Sequence, residues 1–139
     1  MLIIRYLLGS NPSRLSVLIL IILAAFTIAC ADDSVYSGDL SGQWNMVANT
    51  DFNFILDLQQ SGNQITGTMT STNAASEPVD AISGTISADG TIQFVRVRAG
   101  QWTQAYTGSV SGSSIAGSFS QNGQGQYLWS ASKKVDGRP

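Results

Sequence analysis

The side chains best suited to chemistry in this chain fall on alternating positions of two neighbouring segments. Arg96 and Arg98 alternate on the first, and Trp102, Gln104 and Tyr106 alternate on the second. A guanidinium group offers a planar fork of donors that matches carboxylate or phosphate, and ligand pockets combine apolar walls with few polar anchors. The pattern predicts a site for a small ligand with an apolar body and an anionic head. The candidate ligand-binding residues are Asp80, Phe94, Arg96, Arg98, Trp102, Gln104, Tyr106 and Trp129.

The composition gives little support for catalysis, a metal, a cofactor or a nucleic-acid partner. The chain has no histidine and a single cysteine, Cys30, whereas metal sites need clusters of His, Cys or acidic residues. After residue 29, nine acidic residues outweigh five basic ones, for a net charge near −4. This balance is the opposite of a basic nucleic-acid footprint. The sequence therefore favours a non-enzymatic protein without metal or cofactor.

The N-terminal thirty residues predict export and lipidation. Arg5 and Arg14 precede an apolar run over 15–29 that ends at Cys30, the layout of a secretory signal. Residues 26–30 resemble a bacterial lipobox, with Thr27 where leucine is usual, which implies a signal peptide over 1–29, lipid on Cys30 and a polar tether over 30–40. We expect an extracytoplasmic protein anchored in the membrane, in the outer membrane if the host is Gram-negative, because Ala31 follows the cysteine. A plain signal peptide or a single membrane anchor is the alternative.

Four copies of a five-residue phrase, each with a central glycine between two small residues, indicate the elements that position these side chains. The copies are residues 65–69, 82–86, 106–110 and 115–119. With regularly spaced turn residues they predict eight strands, near 42–48, 52–60, 63–71, 79–87, 91–98, 102–110, 113–121 and 125–133. Links of two or three residues are typical of hairpins; the 72–78 link is longer. We expect an all-β, eight-stranded antiparallel up-and-down barrel over 41–134, with a flexible tail at 135–139.

Hairpin lengths predict which side chains share the interior, because directly opposed residues on antiparallel strands point to the same face. The predicted pairs are Trp44 with Leu56, Gly67 with Leu56, Leu58 with Ile65, Gly84 with Phe94, Tyr106 with Gly117, Gly108 with Ile115, Gly117 with Trp129, and Phe119 with Tyr127. The glycines then lie beside bulky side chains. Such alternation of small and large residues is what a small barrel needs to fill its interior.

The two ends of the barrel are predicted to differ. The turns at 61–62, 88–90 and 111–112 cover aliphatic side chains at one end, which we call the closed end. At the other end, the mouth, Asp80 is expected opposite Arg98, and Arg96 opposite Gln104. Two simpler interpretations stay open: Asp80 neutralises Arg98 while Arg96 extends to solvent past Trp102, and side chains fill the barrel without a cavity.

The first strand begins with Gly42-Gln43-Trp44 and opens an eight-stranded meander, which resembles the calycin group of lipocalins, fatty-acid-binding proteins and avidins. The 65–69 phrase on the third strand and Trp129 on the eighth are similar to avidins. Met69 stands where avidins have a tyrosine, and Arg96 where they have a tryptophan. The resemblance therefore implies a ligand-binding barrel without biotin specificity.

Two of the functions that fit this sequence use the interior of the barrel. In the first, a membrane-anchored lipoprotein binds a small amphiphilic anionic ligand in a cavity lined by Phe94, Tyr106 and Trp129. In the second, the chain is an enzyme of the cyclase kind found among barrels of this general type, and it uses Tyr106, Asp80 and Arg96 to polarise a substrate and handle protons.

A third function uses the outer surface. A non-catalytic structural or protein-interaction module of the cell envelope would have a filled barrel and an exposed apolar surface. The sequence suggests that such a surface forms around Ile55, Val95, Val97 and Leu128, because large apolar patches often mark contacts.

Overall fold

The structure, a computed structural model, describes residues 34–73 and 76–135, so the predicted signal peptide and Cys30 lie outside the described residues. Eight antiparallel strands form a closed barrel in chain order: β1 (Gly42–Ala48), β2 (Phe52–Ser61), β3 (Gln64–Ser71), β4 (Asp80–Ile86), β5 (Thr91–Arg98), β6 (Trp102–Ser111), β7 (Ser114–Gln121) and β8 (Gln124–Lys133). β8 pairs with β1, with Ala48 opposite Trp129. The predicted up-and-down barrel is confirmed. Among the described residues, no helix is long and apolar enough to span a membrane.

The core follows from the alternation of side chains along each strand. On β1, Trp44, Met46 and Ala48 are buried, while Gln43 and Asn45 between them are exposed. The other strands repeat this pattern, and their inward apolar side chains form one cluster that occupies the barrel. Burial of each large apolar side chain contributes about 1.5–3 kcal/mol, so the interior is the main source of stability.

An N-terminal strap, residues 34–41, covers the closed end. Leu40 is 2% exposed and belongs to the core. Its N–H donates to Gln60 Oε1 (2.9 Å), and its carbonyl accepts from Trp44 Nε1 (2.9 Å). Further along the strap, Tyr36 N–H donates to Asn63 Oδ1 (3.2 Å), and the Asp39 carbonyl accepts from Lys133 Nζ (2.8 Å). The packed part of the chain therefore begins before the predicted boundary at residue 41.

Four of the eight predicted interior pairs are confirmed, and the fourth of these, Phe119 with Tyr127, is described below. Trp44 is opposite Leu56, Gly84 is opposite Phe94, and Gly117 is opposite Trp129. The closed end is filled by aliphatic side chains as predicted, and each is at most 1% exposed: Leu58, Ile65, Ile86, Ile92 and Ile115.

Two hairpins differ from the prediction by a shift of two residues. Their turns are Gly62-Asn63 and Gly112-Ser113, since Ser61 pairs with Gln64 and Ser111 pairs with Ser114. The glycine comes first in each turn and has a positive φ, 59° at Gly62 and 58° at Gly112, as in Gly-X hairpin turns.

The two-residue shift gives each residue a different partner on the neighbouring strand but leaves its side chain on the same face of the sheet. Opposed residues are Leu58 with Gly67, Leu56 with Met69, Gln60 with Ile65, Tyr106 with Phe119, Gly108 with Gly117, and Val110 with Ile115. The predicted pairs of Gly67 with Leu56, Leu58 with Ile65, Tyr106 with Gly117, and Gly108 with Ile115 are therefore wrong. A shift of two residues keeps each side chain on its face, because the side-chain period of a strand is two.

A β-bulge near the mouth sets the direction of Tyr127. The β7–β8 turn is Asn122-Gly123, and both residues have positive φ, the requirement of a tight two-residue hairpin turn. Gln121 pairs with Gln124, yet Phe119 pairs with Tyr127, so β8 carries one extra residue between these pairs. The bulge restores the predicted Phe119–Tyr127 pair and re-aims Tyr127 inward.

The repeated glycines serve a different purpose from the predicted one. A Cβ on Gly117 would lie 1.9 Å from the Thr107 carbonyl oxygen, which belongs to the neighbouring strand. At Gly108 the obstacle includes a side chain, since a Cβ there would lie 2.8 Å from Trp129 Cζ2. Glycine in a strand often marks such close backbone approach. The repeat therefore lets adjacent backbones approach closely, and it makes room for a bulky ring mainly at Gly108.

Candidate functional site

The centre of the mouth is an ion cluster around Asp80, and the predicted inward face of β5 is confirmed. Asp80 Oδ2 accepts from Arg96 Nε (2.8 Å) and Nη2 (2.5 Å) and from Arg98 Nη2 (2.7 Å), and Oδ1 accepts from Arg98 Nε (3.2 Å). Arg98 also pairs with Glu77 at 3.2 Å. Arg96 is 3% exposed and Asp80 6%. Arg96 therefore does not extend to solvent, contrary to the simpler interpretation.

Aromatic rings enclose the Arg96 guanidinium on two sides. Its central carbon lies 4.9 Å from the Phe54 ring centroid and 4.8 Å from that of Trp102. Arg98 also lies over Trp102, at 4.9 Å. Cation–π contacts of this kind strengthen when the cation is desolvated, so the rings help to hold a buried charge in place.

An amide relay connects the ion cluster to the rim. Gln104 Oε1 accepts from the Tyr106 hydroxyl (2.8 Å) and from Arg96 Nη1 (3.4 Å), which fixes the orientation of the Gln104 amide. Gln104 Nε2 then donates to Gln121 Oε1 (2.9 Å). Since Gln121 Oε1 is the acceptor, its Nε2 is the group that presents donors at the exposed rim.

The environment shifts the pKa values of three groups in the mouth. Burial alone would raise the pKa of the Asp80 carboxyl, but hydrogen bonds and charges from Arg98 and Arg96 outweigh burial and lower it. Hydrogen bonding to Asp80 raises the pKa of Arg98. Burial raises the pKa of the Tyr106 hydroxyl to about 12, although the charge of Arg96 acts in the opposite direction. Tyr106 is therefore a neutral phenol at ordinary pH.

Beneath the mouth, aromatic side chains pack against one another. Phe94 stacks on Tyr106 with ring centroids 4.6 Å apart, and Trp129 meets both rings edge-on, at 5.6 and 5.8 Å. Trp129 Nε1 donates to the carbonyls of Thr107 (3.1 Å) and Ser118 (3.2 Å). The three rings predicted to line a cavity thus form a packed cluster inside the barrel.

An open pocket of about 340 Å³ lies at the mouth, above Tyr106. It combines aromatic walls with amide side chains and carries no charged residue in its lining: Ala48, Asn49, Phe52, Phe54, Trp102, Gln104, Tyr106, Phe119, Gln121 and Tyr127. Of the predicted site residues, Trp102, Gln104 and Tyr106 contribute directly to its wall. Asp80, Arg96 and Arg98 form the adjoining ion cluster, and Phe94 and Trp129 lie in the core.

Several residues of this site are not among those that the sequence predicts. Phe54 shares the inward phase of Leu56 and Leu58, so its direction could be read from the sequence, but its contact with Arg96 crosses the barrel between strands that are not neighbours. Phe119 and Tyr127 were predicted to pair and were not assigned to the site. Nothing in the sequence signalled Glu77, because it lies in the 72–78 link.

The chemistry available at the mouth is recognition by stacking and hydrogen bonding. The Asp80 carboxylate is occupied by two guanidinium groups, and Tyr106 holds its proton. Within residues 34–73 and 76–135, no group of three or more His, Cys, Asp or Glu residues is arranged to hold a metal ion. The residues named for a barrel enzyme are thus brought together, but with their charges paired internally.

The fold and the site define a closed eight-stranded barrel with an aromatic-lined pocket at its mouth. No protein-family model matches this chain, and no curated protein matches it. Among solved structures, the Schistosoma mansoni fatty acid binding protein in complex with arachidonic acid has 11% identity and a TM-score of 0.44, with 69% of this chain and 96% of that chain covered. Fatty-acid-binding protein 1 of Echinococcus granulosus has the same identity, TM-score and share of this chain, with 98% of its own length covered. Similarity this distant carries no inference about the ligand.

Proposed function

We propose that this chain is a non-catalytic binding protein that takes a small, largely apolar molecule at the mouth of its barrel. The observation that carries the proposal is the pocket of about 340 Å³, whose walls are aromatic rings and whose polar groups are amides. This volume lies at the lower end of the range typical of small-molecule sites. Trp102 and Tyr106 belong to the wall, as expected of residues that contact a ligand.

The sequence predicts a ligand with an anionic head group, for which Arg96 is a candidate anchor. Arg96 lies beneath the pocket and is paired with Asp80 at both Nε and Nη2. An anion would therefore have to compete with a carboxylate already in place, a costly exchange at a buried pair. The geometry supports the apolar body of the ligand better than the anionic head.

The anchoring proposal concerns Cys30. The basic residues Arg5 and Arg14, the apolar run over 15–29 and the lipobox-like residues 26–30 support an extracytoplasmic protein anchored by lipid on this cysteine. If Cys30 is lipidated in the host, the full chain should incorporate an alkyne-bearing fatty acid and fractionate with membranes. Cys30→Ser should lose the label and the membrane association; a variant that keeps both would refute the proposal.

Native mass spectrometry of the full chain, purified from its own host, tests the binding function. We expect a co-purified small molecule, lost when the pocket residue Tyr127 is changed to alanine. The matched control is Leu128→Ala, the next residue on β8, which points outward and is 73% exposed. A preparation without any adduct, or an adduct lost equally in both variants, would contradict binding at the mouth.

A protein-interaction module is the second candidate, favoured by the packed interior and by exposed valines on β5. Val95 is 38% exposed and Val97 53%. The predicted apolar surface is not one patch, because Ile55, Leu128 and the two valines lie on β2, β8 and β5, which are not adjacent. If the valines contact a partner protein, a photoreactive amino acid placed at position 97 should crosslink to that protein in the host. The same group at position 93, an outward position on the same strand, should give no crosslink.

A further inference from the structure

An aromatic ladder leads from the core of the barrel to its rim. Phe94, Tyr106, Phe119 and Tyr127 lie on four consecutive strands, with successive ring centroids 4.6, 4.8 and 5.2 Å apart. Their planes differ by 7°, 19° and 34° along the series. Tyr106 is 2% exposed, Phe119 9% and Tyr127 40%. The ladder therefore opens to solvent at its last rings, which form one wall of the mouth pocket.

Further rings contribute to the rest of the pocket. Phe52 and Phe54 belong to its lining, as does Trp102. Aromatic rings prefer offset-stacked or edge-to-face neighbours, and such pairs contribute beyond the area they bury. A flat ring system entering the pocket can contact rings on more than one side, whereas a flexible chain would lose rotational freedom there.

The interior below the pocket leaves little room for an acyl chain. The Tyr106 hydroxyl lies 4.0 Å from Met69 Sδ, and Met69 itself is fully buried. Ile82 and Trp129 are each 3% exposed. A long chain would have to displace this packed layer, and inserting atoms into a well-packed core destabilises it.

The polar groups of the pocket favour a ligand that carries a hydrogen-bond acceptor and no charge. No lining residue is charged, and the cations beneath are paired with Asp80 and Glu77. The relay through Gln104 orients Gln121 so that its Nε2 presents a donor at the rim, beside the Asn49 amide and the Tyr127 hydroxyl, which can each donate or accept. A neutral oxygen or nitrogen acceptor at the edge of a ring would meet that donor.

From these observations we infer that the ligand class is a neutral, planar ring compound with a hydrogen-bond acceptor at one edge. This inference rests on the proposed function, because it names the chemistry of the same mouth pocket. It distinguishes the site from one that takes a flexible fatty acid: the ligand stacks on the rim of the ladder and hydrogen-bonds to Gln121.

Four probes that differ in two properties test the inference. Coumarin is planar and neutral with a carbonyl acceptor, and coumarin-3-carboxylate adds a charge. 2-Nonanone is flexible and neutral, and nonanoate is flexible and charged. Each is titrated into the full-length chain, and backbone amide NMR shifts of mouth residues give the Kd. Coumarin should bind at least about tenfold more tightly than nonanoate, a difference that one or two good ring contacts supply.

Variants locate the binding. Tyr127→Ala and Gln121→Ala should each weaken coumarin binding several-fold, while Leu128→Ala and Gln126→Ala, outward residues of β8, should leave it unchanged. The NMR spectra also report whether each variant remains folded. Tighter binding of nonanoate, 2-nonanone or coumarin-3-carboxylate at the mouth would overturn the inference and leave the proposed binding function intact. If none of the four probes shifts a mouth residue at millimolar concentration, both fail.

Discussion

Replacing Asp80 by asparagine should destabilise the barrel strongly, because the buried Arg96 would lose its counter-charge. Arg96 and Asp80 side chains are 4% and 6% exposed, whereas the Arg98 side chain is 18% exposed and better solvated. Breaking a buried pair by removing one partner costs about 3–5 kcal/mol. Since a single domain has about 5–15 kcal/mol of stability in total, we expect Asp80→Asn to remove about 3 kcal/mol.

Urea denaturation followed by tryptophan fluorescence measures this loss. For a domain of this size, about 3 kcal/mol corresponds to a fall in Tm of roughly 12–24 °C. Asp57→Asn is the matched control, because Asp57 lies on the outer face with one long contact, to Gln43 Nε2 at 3.5 Å. Its effect should stay within about 0.5 kcal/mol.

A double variant separates the orphaned charge from other effects of the substitution. Adding Arg96→Met to Asp80→Asn removes the buried cation while keeping an apolar side chain between Phe54 and Trp102. Replacing a buried ion pair by apolar groups is often neutral or stabilising, so the double variant should be more stable than Asp80→Asn alone. If Asp80→Asn resembles Asp57→Asn, or if the double variant is no more stable than Asp80→Asn, the unpaired Arg96 charge is not the cause of a stability loss.

The same pair predicts a dependence of stability on pH. The pKa of Asp80 is lower in the folded barrel than its ordinary value of 3.8. A lowered folded-state pKa gives stability that is present above the unfolded pKa and is lost as the pH falls through the folded value. The difference in unfolding free energy between the wild type and Asp80→Asn should therefore be constant near neutral pH and shrink below about pH 4. A difference that grows on acidification would contradict this sign.

Two further substitutions test the architecture. Gly117→Ala should cost about 3 kcal/mol or more, because its Cβ would meet the backbone of the neighbouring strand. Gly112→Ala, in an open turn, should cost only about 1 kcal/mol through its positive φ. Equal losses in urea denaturation would contradict the close approach at Gly117. Leu40→Ala should lower the unfolding free energy by about 2–5 kcal/mol and speed amide hydrogen exchange in the strap. Val35→Ala, at an exposed strap residue, should change neither the stability nor the exchange. Similar effects of the two substitutions would show that the strap does not seal the closed end.

The strands and their inward faces could be predicted because both depend on local patterns. Apolar residues at every second position fixed which face is buried, as with Trp44, Leu56 and Phe94. An error of two residues in a turn does not move a side chain to the other face, so the inward direction of Arg96 was correct even though two hairpins were shifted.

The remaining features depend on contacts that local patterns do not encode. Gly62 is second in the predicted 61–62 turn but first in the observed Gly62-Asn63 turn. A glycine fits either position, so the sequence does not decide which two residues form the turn. The contact of Phe54 with Arg96 joins strands on different sides of the barrel, and hairpin register says nothing about such pairs. The strap was predicted to be a tether because its packing rests mainly on one apolar residue, Leu40, amid polar neighbours.

Arg96 helps to orient the amide of Gln104 and, through it, that of Gln121, the group proposed to contact the ligand. Its Nη1 and the Tyr106 hydroxyl both donate to Gln104 Oε1, and this fixes the direction in which the relay reaches Gln121. In the Asp80→Asn/Arg96→Met variant one of the two donors is gone, so the amides can reverse. Coumarin should then bind about two- to tenfold more weakly, the value of one hydrogen bond, whereas naphthalene, planar without an acceptor, should bind unchanged. An equal loss for both probes would instead indicate that Arg96 only supports the pocket walls.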